Sequence, residues 1–265
     1  MNVRQTPRAM RSIPGKVYLV GAGPGAPDLI TLRGAEILKR ADIVFHDALV
    51  RPGTLALAAR AEKIAVGKRC GRHSTVQQFI NKRLVDAARK YHTVVRLKGG
   101  DPMLFGRAHE EIAALRAADI EYEVVPGVTA ALAASAELGV SLTRRGIARN
   151  VAFVTARVGA GKAEHDWAKN VAAADTAVIY MGAGQAAEIA ATLIARGVPR
   201  DTPAAIVENA SLAEARRFTM PLCELARAAE LGISGPAVIM LGEVFASALL
   251  AATEEPTTPS LSATA

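Results

Sequence analysis

A chain of 265 residues, 51% hydrophobic and 22% charged, has room for one large or two modest globular domains and excludes collagen-like, low-complexity and intrinsically unfolded classes. Its formal net charge of +7 favours an anionic partner, yet no aromatic-rich basic stretch of the RNA-reading type appears and no run approaches the roughly 20 apolar residues that span a bilayer. Two cysteines, Cys70 and Cys223, are too few for a disulfide framework and form no CxxC metal pair, so neither a disulfide scaffold nor a metal site is expected. The basic start of the chain is not followed by an apolar segment of the secretory kind, and the sequence reads as cytosolic, with neither nucleic acid nor membrane as a partner.

Residues 1–15 carry no periodicity and read as a flexible lead-in. Val17 to Val20 is a β-branched run ending in Gly21-Ala22-Gly23-Pro24-Gly25, the pattern of a buried parallel strand that ends in a turn. Thr31 to Arg40 has helical spacing, Ile43 to Phe45 and Lys63 to Val66 read as strands, and Ser74 to Lys90 as a helix. Thr93 to Leu97 is a strand running directly into Gly99-Gly100-Asp101-Pro102. A helix over His109 to Ala118, a strand over Tyr122 to Val125 and a small-residue helix over Thr129 to Leu138 complete the first series. A second series follows: strands at Asn150 to Thr155, Thr176 to Tyr180, Ala204 to Val207 and Ala237 to Leu241, with a helix over Gln185 to Arg196. Strands alternating with helices predict parallel sheets covered on both faces. Gly139 to Arg149, with two glycines and three arginines, is the natural hinge. The expected organisation is therefore α/β, with domains over 16–140 and 141–252 and a floppy tail over 253–265.

Four loops stand at strand ends, where open α/β sheets bind ligands. The first is ambiguous. Gly21, Gly23 and Ala26 satisfy the loose G-x-G-x-x-G/A pattern of dinucleotide folds, and Asp47 ends the second strand where a ribose-binding acid would stand. Against a nicotinamide cofactor, Pro24 removes a backbone N–H from the turn that a pyrophosphate would use. A plain strand-to-helix turn is the alternative for these glycines. The other three loops are the Gly-Gly-Asp-Pro loop, Pro126-Gly127 leading to Thr129, and Met181-Gly182. Together they point to one shared crevice.

The motifs GAGPG at Gly21 to Gly25, DxLV at Asp47 to Val50, VGKR at Val66 to Arg69, VVRLKGGDPxxFGR at Val94 to Arg107, VVPGVTAA at Val124 to Ala131, LTxR at Leu142 to Arg145 and YMG at Tyr180 to Gly182 occur in one order. In that set the chain resembles the uroporphyrinogen-III C-methyltransferases, from about Lys16 to Ala251, and GGDP followed by FGR is the most specific part. The resemblance implies two α/β domains of the tetrapyrrole methylase type with the active site in the cleft between them, a homodimer, and S-adenosylmethionine as cofactor. It implies two successive methyl transfers to ring carbons of uroporphyrinogen III, giving precorrin-2 for sirohaem or cobalamin synthesis. Carried over by position, Pro24, Gly99, Gly100, Asp101, Leu104, Thr129, Ala130, Met181 and Ala210 would line the cofactor site. Arg107, Arg145 and Met181 would meet the substrate, whose carboxylates suit arginine forks. Asp47 and Lys68 match positions with proton-accepting and proton-donating roles, and Arg107 with Glu110 matches an alternative arrangement. Arginine hardly deprotonates at neutral pH, which favours Arg107 as a substrate clamp.

The pattern also departs from the family. FGRAHEE puts Ala108 and His109 where glycines are common, and Met103 replaces an aromatic. Arg144 replaces a histidine, Ser141 a proline, Ala156-Arg157 a Gly-His, and Ala210-Ser211 a Gly-Thr. A methyltransferase of a later precorrin, a tetrapyrrole-binding paralogue with little turnover, and a dehydrogenase are the competing readings.

Overall fold

Residues 14–66, 73–156 and 166–254 are described by a computed structural model. They form two compact units, one ending at Thr129 and the other beginning at Ala130.

The first unit is built on strands β1 (Lys16–Gly21), β2 (Ile43–His46), β3 (Glu62–Ala65), β4 (Thr93–Lys98) and β5 (Tyr122–Val125). They form one sheet in the order β3-β2-β4-β1-β5, and every neighbouring pair is parallel. Helices α1 (Leu32–Lys39), α2 (Pro52–Ala56), α3 (His73–Ala88) and α4 (Ala108–Ala117) supply the crossovers. Both faces are apolar because both are covered. Val17, Leu19, Phe45 and Val94 pack with Ile80, Leu84 and Leu115 on one side. Val20, Val44, Val95 and Leu97 pack with Ile37 and Leu38 on the other. Thr31 caps α1, its Oγ1 accepting from the Gly34 N–H at 3.2 Å.

The second unit holds α5 (Ala130–Leu138), β6 (Val151–Thr155), α6 (Trp167–Ala172), β7 (Thr176–Tyr180), α7 (Ala186–Ala195), β8 (Pro203–Glu208), β9 (Arg216–Pro221), β10 (Ala237–Gly242) and α8 (Ala246–Glu254). Two expectations are corrected here. The sheet, in the order β6-β7-β10-β8-β9, is mixed rather than parallel: β6 and β7 run parallel, but β10 is antiparallel to both neighbours and β9 is antiparallel to β8. A short turn joins β8 to β9, and a 3-10 segment, Leu222–Ala229, leads towards β10. The connection 209–215 suffices for the antiparallel pair β8–β9, whereas β9 and β10, which both run opposite to β8, are joined by the longer stretch 222–236. The sequence reading also passes over β9, whose Arg216 and Arg217 are exposed and whose end is Pro221, a composition suited to an edge strand.

The second correction concerns the boundary. The sequence places it after Val140, whereas α5 belongs to the second unit. Ala131, Ala133 and Ala134 are buried with Val178, Ala205, Val207, Val238 and Met240, and with so little side chain the helix lies close on the sheet. The opposite face packs Ile189 and Leu193 of α7 against Ile179, Ile206 and Ile239. No helix among the described residues is long and apolar enough to cross a membrane.

An ion pair between the buried Glu208 and the exposed Arg216 holds this sheet's β8–β9 edge. Glu208, 1% exposed, accepts from the backbone N–H of Ser234 at 2.8 Å and Gly235 at 2.5 Å and from Arg216 Nε at 2.6 Å. The remaining Arg216 nitrogens donate to the carbonyls of Leu231 and Gly232. Burial alone would raise the Glu208 carboxyl, but the donors from Gly235, Ser234 and Arg216 together hold it below its ordinary 4.5. A depressed carboxylate adds stability above its unfolded value, and that stability is lost as the pH falls through the folded one. Glu208→Gln is expected to lower stability at pH 7 by about 1.5–3 kcal/mol. In thermal melts the gap from wild type narrows as the pH is lowered below 4.5.

Candidate active site

Because β4, β1 and β5 are adjacent and parallel, the loops after them emerge at one edge of the first sheet. They interlock through backbone. Gly100 N–H donates to the Gly23 carbonyl at 2.7 Å and Gly23 N–H to the Gly100 carbonyl at 3.3 Å. Asp101 clamps the third loop, its Oδ2 accepting from Gly127 N–H at 2.9 Å while Oδ1 accepts from Met103 N–H at 2.7 Å. A Cβ on Gly21 would lie 2.6 Å from Gly127 Cα, and one on Gly127 only 2.3 Å from the Gly100 carbonyl oxygen. Gly100 itself has φ +66°. These glycines are thus required first by contact between loops.

The turn after β1 does not have the form a dinucleotide needs. A 3-10 turn over Pro27–Leu29 intervenes, and α1 starts only at Leu32 behind its Thr31 cap. In the dinucleotide fingerprint the pyrophosphate meets a helix N-terminus directly behind the glycines. Here no such helix end follows the turn.

At the same edge lies a group of buried charges that sequence reading passes over. Arg96 and Lys98 alternate along β4 with Val95 and Leu97, and their side chains are 3% and 4% exposed. Facing them are Glu111 of α4, fully buried, and Gln77 of α3. Arg96 Nε donates to Glu111 Oε1 at 2.8 Å, Nη2 donates to Asp47 Oδ1 at 2.5 Å, and Nη1 reaches the carbonyls of Phe45 and Leu97. Lys98 Nζ sits 3.2 Å from both Glu111 oxygens; Oε2 has this ion pair but no aligned hydrogen bond. Burial pushes the Lys98 ammonium below its ordinary value, the Arg96 charge adding to this and Glu111 and Asp47 opposing it. Burial would lower Arg96 too, but the charges of Asp47 and Glu111 raise it above its ordinary value. The signal available in the sequence was two cations at alternate positions of an otherwise apolar strand.

The remaining candidates of the first unit fall around this edge. Asp47 N–H donates to the Leu97 carbonyl, which sets Asp47 at the end of β4 beside its Arg96 partner. Pro24 adjoins the Gly23–Gly100 bridge, and Thr129 Cα lies 3.8 Å from where a Gly100 Cβ would be. Gly99 faces Leu49, whose Cβ is 3.2 Å from the corresponding point. Leu104 closes a turn with the Asp101 carbonyl. Leu49, Met103 and Phe105 are exposed hydrophobics. Arg107, at φ +56°, precedes α4 and forms a fork with Glu110, with Nε to Oε1 and Nη2 to Oε2 both at 2.7 Å. Lys68 lies outside the described residues. Of the family departures, Ala108 is 3% exposed within the α3–α4 core and His109 projects from α4, so both concern the helix more than the loops.

In the second unit, Met181 and Ala210 follow the carboxyl ends of β7 and β8. Met181 is exposed at φ +57°, while Ala210 is 7% exposed in the α5 core, leaving little beyond its backbone for a ligand. Ala130 opens α5, and the next N–H, that of Ala131, donates to Tyr180 Oη at 3.2 Å. Arg145 is at the exposed tip of a tight turn closed by Arg144 and Ala148, and among the described residues neither it nor Arg144 nor Arg149 has an ion-pair partner.

A profile of the tetrapyrrole (corrin/porphyrin) methylases matches residues 16–226, and the chain belongs to that family. Siroheme synthase of Pseudomonas fluorescens (strain SBW25) is 44% identical over 233 residues, which is 87% of this chain and 50% of that protein. The chain spans about half the length of the curated relatives it matches. The native form of uroporphyrin-III C-methyltransferase from Thermus thermophilus is 42% identical with a TM-score of 0.78, covering 88% of this chain and 100% of that one. The Thermus thermophilus protein complexed with S-adenosylhomocysteine matches at 40% identity and a TM-score of 0.76, over 88% and 100% of the two chains.

The loop interlock makes a direct prediction. Gly127→Ala forces a methyl group against the Gly100 carbonyl, and overpacking of this kind costs about 1–3 kcal/mol. Urea unfolding should register that loss. Gly184→Ala, where a Cβ meets nothing within 4 Å, should be close to neutral.

Proposed function

We propose that this protein transfers methyl groups from S-adenosylmethionine to two ring carbons of uroporphyrinogen III, giving precorrin-2. The observation that carries the reading is the 42% identity over the whole of the Thermus thermophilus uroporphyrin-III C-methyltransferase. The second Thermus structure, with S-adenosylhomocysteine, supports the cofactor.

The first unit's loop edge fits such a cofactor. It offers glycine-lined backbone at Gly99, Gly100 and Gly127, a proline in the β1 turn and no helix start behind it. An adenosyl group and an amino-acid end suit that surface better than a pyrophosphate does. In this reading the residues carried over from the family, Pro24, Gly99, Gly100, Asp101, Leu104, Thr129, Ala130, Met181 and Ala210, are the ones that hold it. Bound there, S-adenosylmethionine supplies an electrophilic methyl group on sulfonium sulfur.

The residues of the chain then have two tasks. One is orientation, since holding two reactants in line is a large part of such catalysis. Arg145, and Arg107 as fixed by Glu110, bind substrate carboxylates as forks, while Met103, Phe105 and Met181 give apolar surface to the macrocycle. The other task is proton removal, because the methylated pyrrole gives up a proton as it rearranges. Asp47, 29% exposed and anchored through one oxygen, is the acceptor, and Lys68 is its proton-donating counterpart. The same family reading carries a cytoplasmic homodimer.

Incubation with uroporphyrinogen III and isotope-labelled S-adenosylmethionine, followed by mass analysis of the macrocycle, should show two added methyl groups. A folded protein that binds S-adenosylhomocysteine and adds none would overturn the proposal. Asp47→Asn should lower kcat by about 10²–10⁴ with little change in S-adenosylhomocysteine affinity by calorimetry.

A further inference from the structure

The buried group Asp47–Arg96–Glu111–Lys98 has no part in the assignments above beyond Asp47 itself. Four charges out of water are costly, and a buried ion cluster is weak as a source of stability beside an apolar core. This one sits at the ligand-binding edge of the sheet, joining α4 to the end of β2 through a single guanidinium. The charges balance, two carboxylates against two cations. Arg96 is fully engaged: Nε on Glu111, Nη1 on the carbonyls of Phe45 and Leu97, Nη2 on Asp47. Glu111 is held in turn by Lys98 and by Gln77 Nε2 at 3.3 Å. The group reaches the Asp47 side chain through Oδ1. Among the described residues Oδ2 has no hydrogen-bond partner, and the Asp47 side chain is 29% exposed.

We propose that Arg96, braced by Glu111, is a positioning residue that fixes the Asp47 carboxylate through Oδ1 and leaves Oδ2 to take the proton released by the methylated pyrrole. The role rests on the function proposed above and deepens it. The proton passes from the ring to Asp47 Oδ2, forming a neutral carboxyl, and later to solvent; Arg96 and Glu111 exchange no proton. Only a planar fork spans two carboxylates and two carbonyls from one strand position. A lysine at residue 96 keeps the charge and loses the aim.

The test is a double-mutant cycle on the methyl transfer. Arg96→Lys should lower kcat by about 10²-fold, with KM for both substrates and the S-adenosylhomocysteine affinity within about threefold of wild type. In an Asp47→Asn background the same change should cost little more, because its effect runs through Asp47. A wild-type kcat in Arg96→Lys, or an equal loss in both backgrounds, would overturn the positioning role alone. Should Arg96→Lys fail to fold, Glu111→Asp, which keeps the buried charge but draws the carboxylate back from Arg96 Nε, is read in the same cycle: coupling to Asp47 supports the role and additivity overturns it. If wild-type protein binds S-adenosylhomocysteine but methylates no uroporphyrinogen III, the functional reading fails and the positioning role with it.

Discussion

Contact between backbones at the carboxyl edge of the first sheet is the constraint from which the rest of the site follows. Gly21 ends β1 and Gly100 and Gly127 come from two other strand ends, yet there is no room for a Cβ on Gly21 or Gly127. The Gly23–Gly100 bridge and the two bonds of Asp101 convert that contact into a fixed surface. Ordered backbone of this kind can meet a ligand closely without depending on long side chains. It also explains why the glycine pattern after β1 imitates a dinucleotide fingerprint: the glycines answer to neighbouring loops, and no helix end waits behind them.

Beneath that surface the sheet carries charge where its strands otherwise bury only hydrocarbon. Arg96 and Lys98 fall on the face that packs against α3 and α4, and Glu111 neutralises them from α4. Removing one member would leave an uncompensated buried ion, which is strongly destabilising. The four groups are therefore held together, and Asp47 is the member closest to solvent. In the second unit Glu208 and Arg216 do a purely architectural task, tying β8 and β9 to the turn before β10.

Much of the first unit was legible because a parallel sheet covered on both faces leaves near-continuous apolar runs such as Val17 to Val20 and Val94 to Val95. Its strand-end loops were legible because glycine next to proline or aspartate marks a turn with little ambiguity. The second unit was read less well. Strand direction is set by connection length and by what the connection packs on, and neither shows in the β8, β9 and β10 segments themselves. Helix α5 lacks a distinct apolar stripe because nearly all its residues are small, so nothing local assigns it to the second core. In the site, Asp47 and Glu110 stood in recognisable motifs. Glu111 was missed because its partners are supplied by β4 and α3, a juxtaposition that exists only in the folded chain. The loop residues assigned to the cofactor were found by resemblance; the glycine turn after β1 has a spacing that also admits a nicotinamide, and Pro24 counts against that reading.

The central claim is that the interlocked loops form a site for a nucleoside without phosphate, and a calorimetric titration of the full chain with S-adenosylhomocysteine and, separately, with NAD tests it most directly. Saturable binding of S-adenosylhomocysteine with no heat from NAD is the predicted result. Saturable binding of NAD with none of S-adenosylhomocysteine would contradict it.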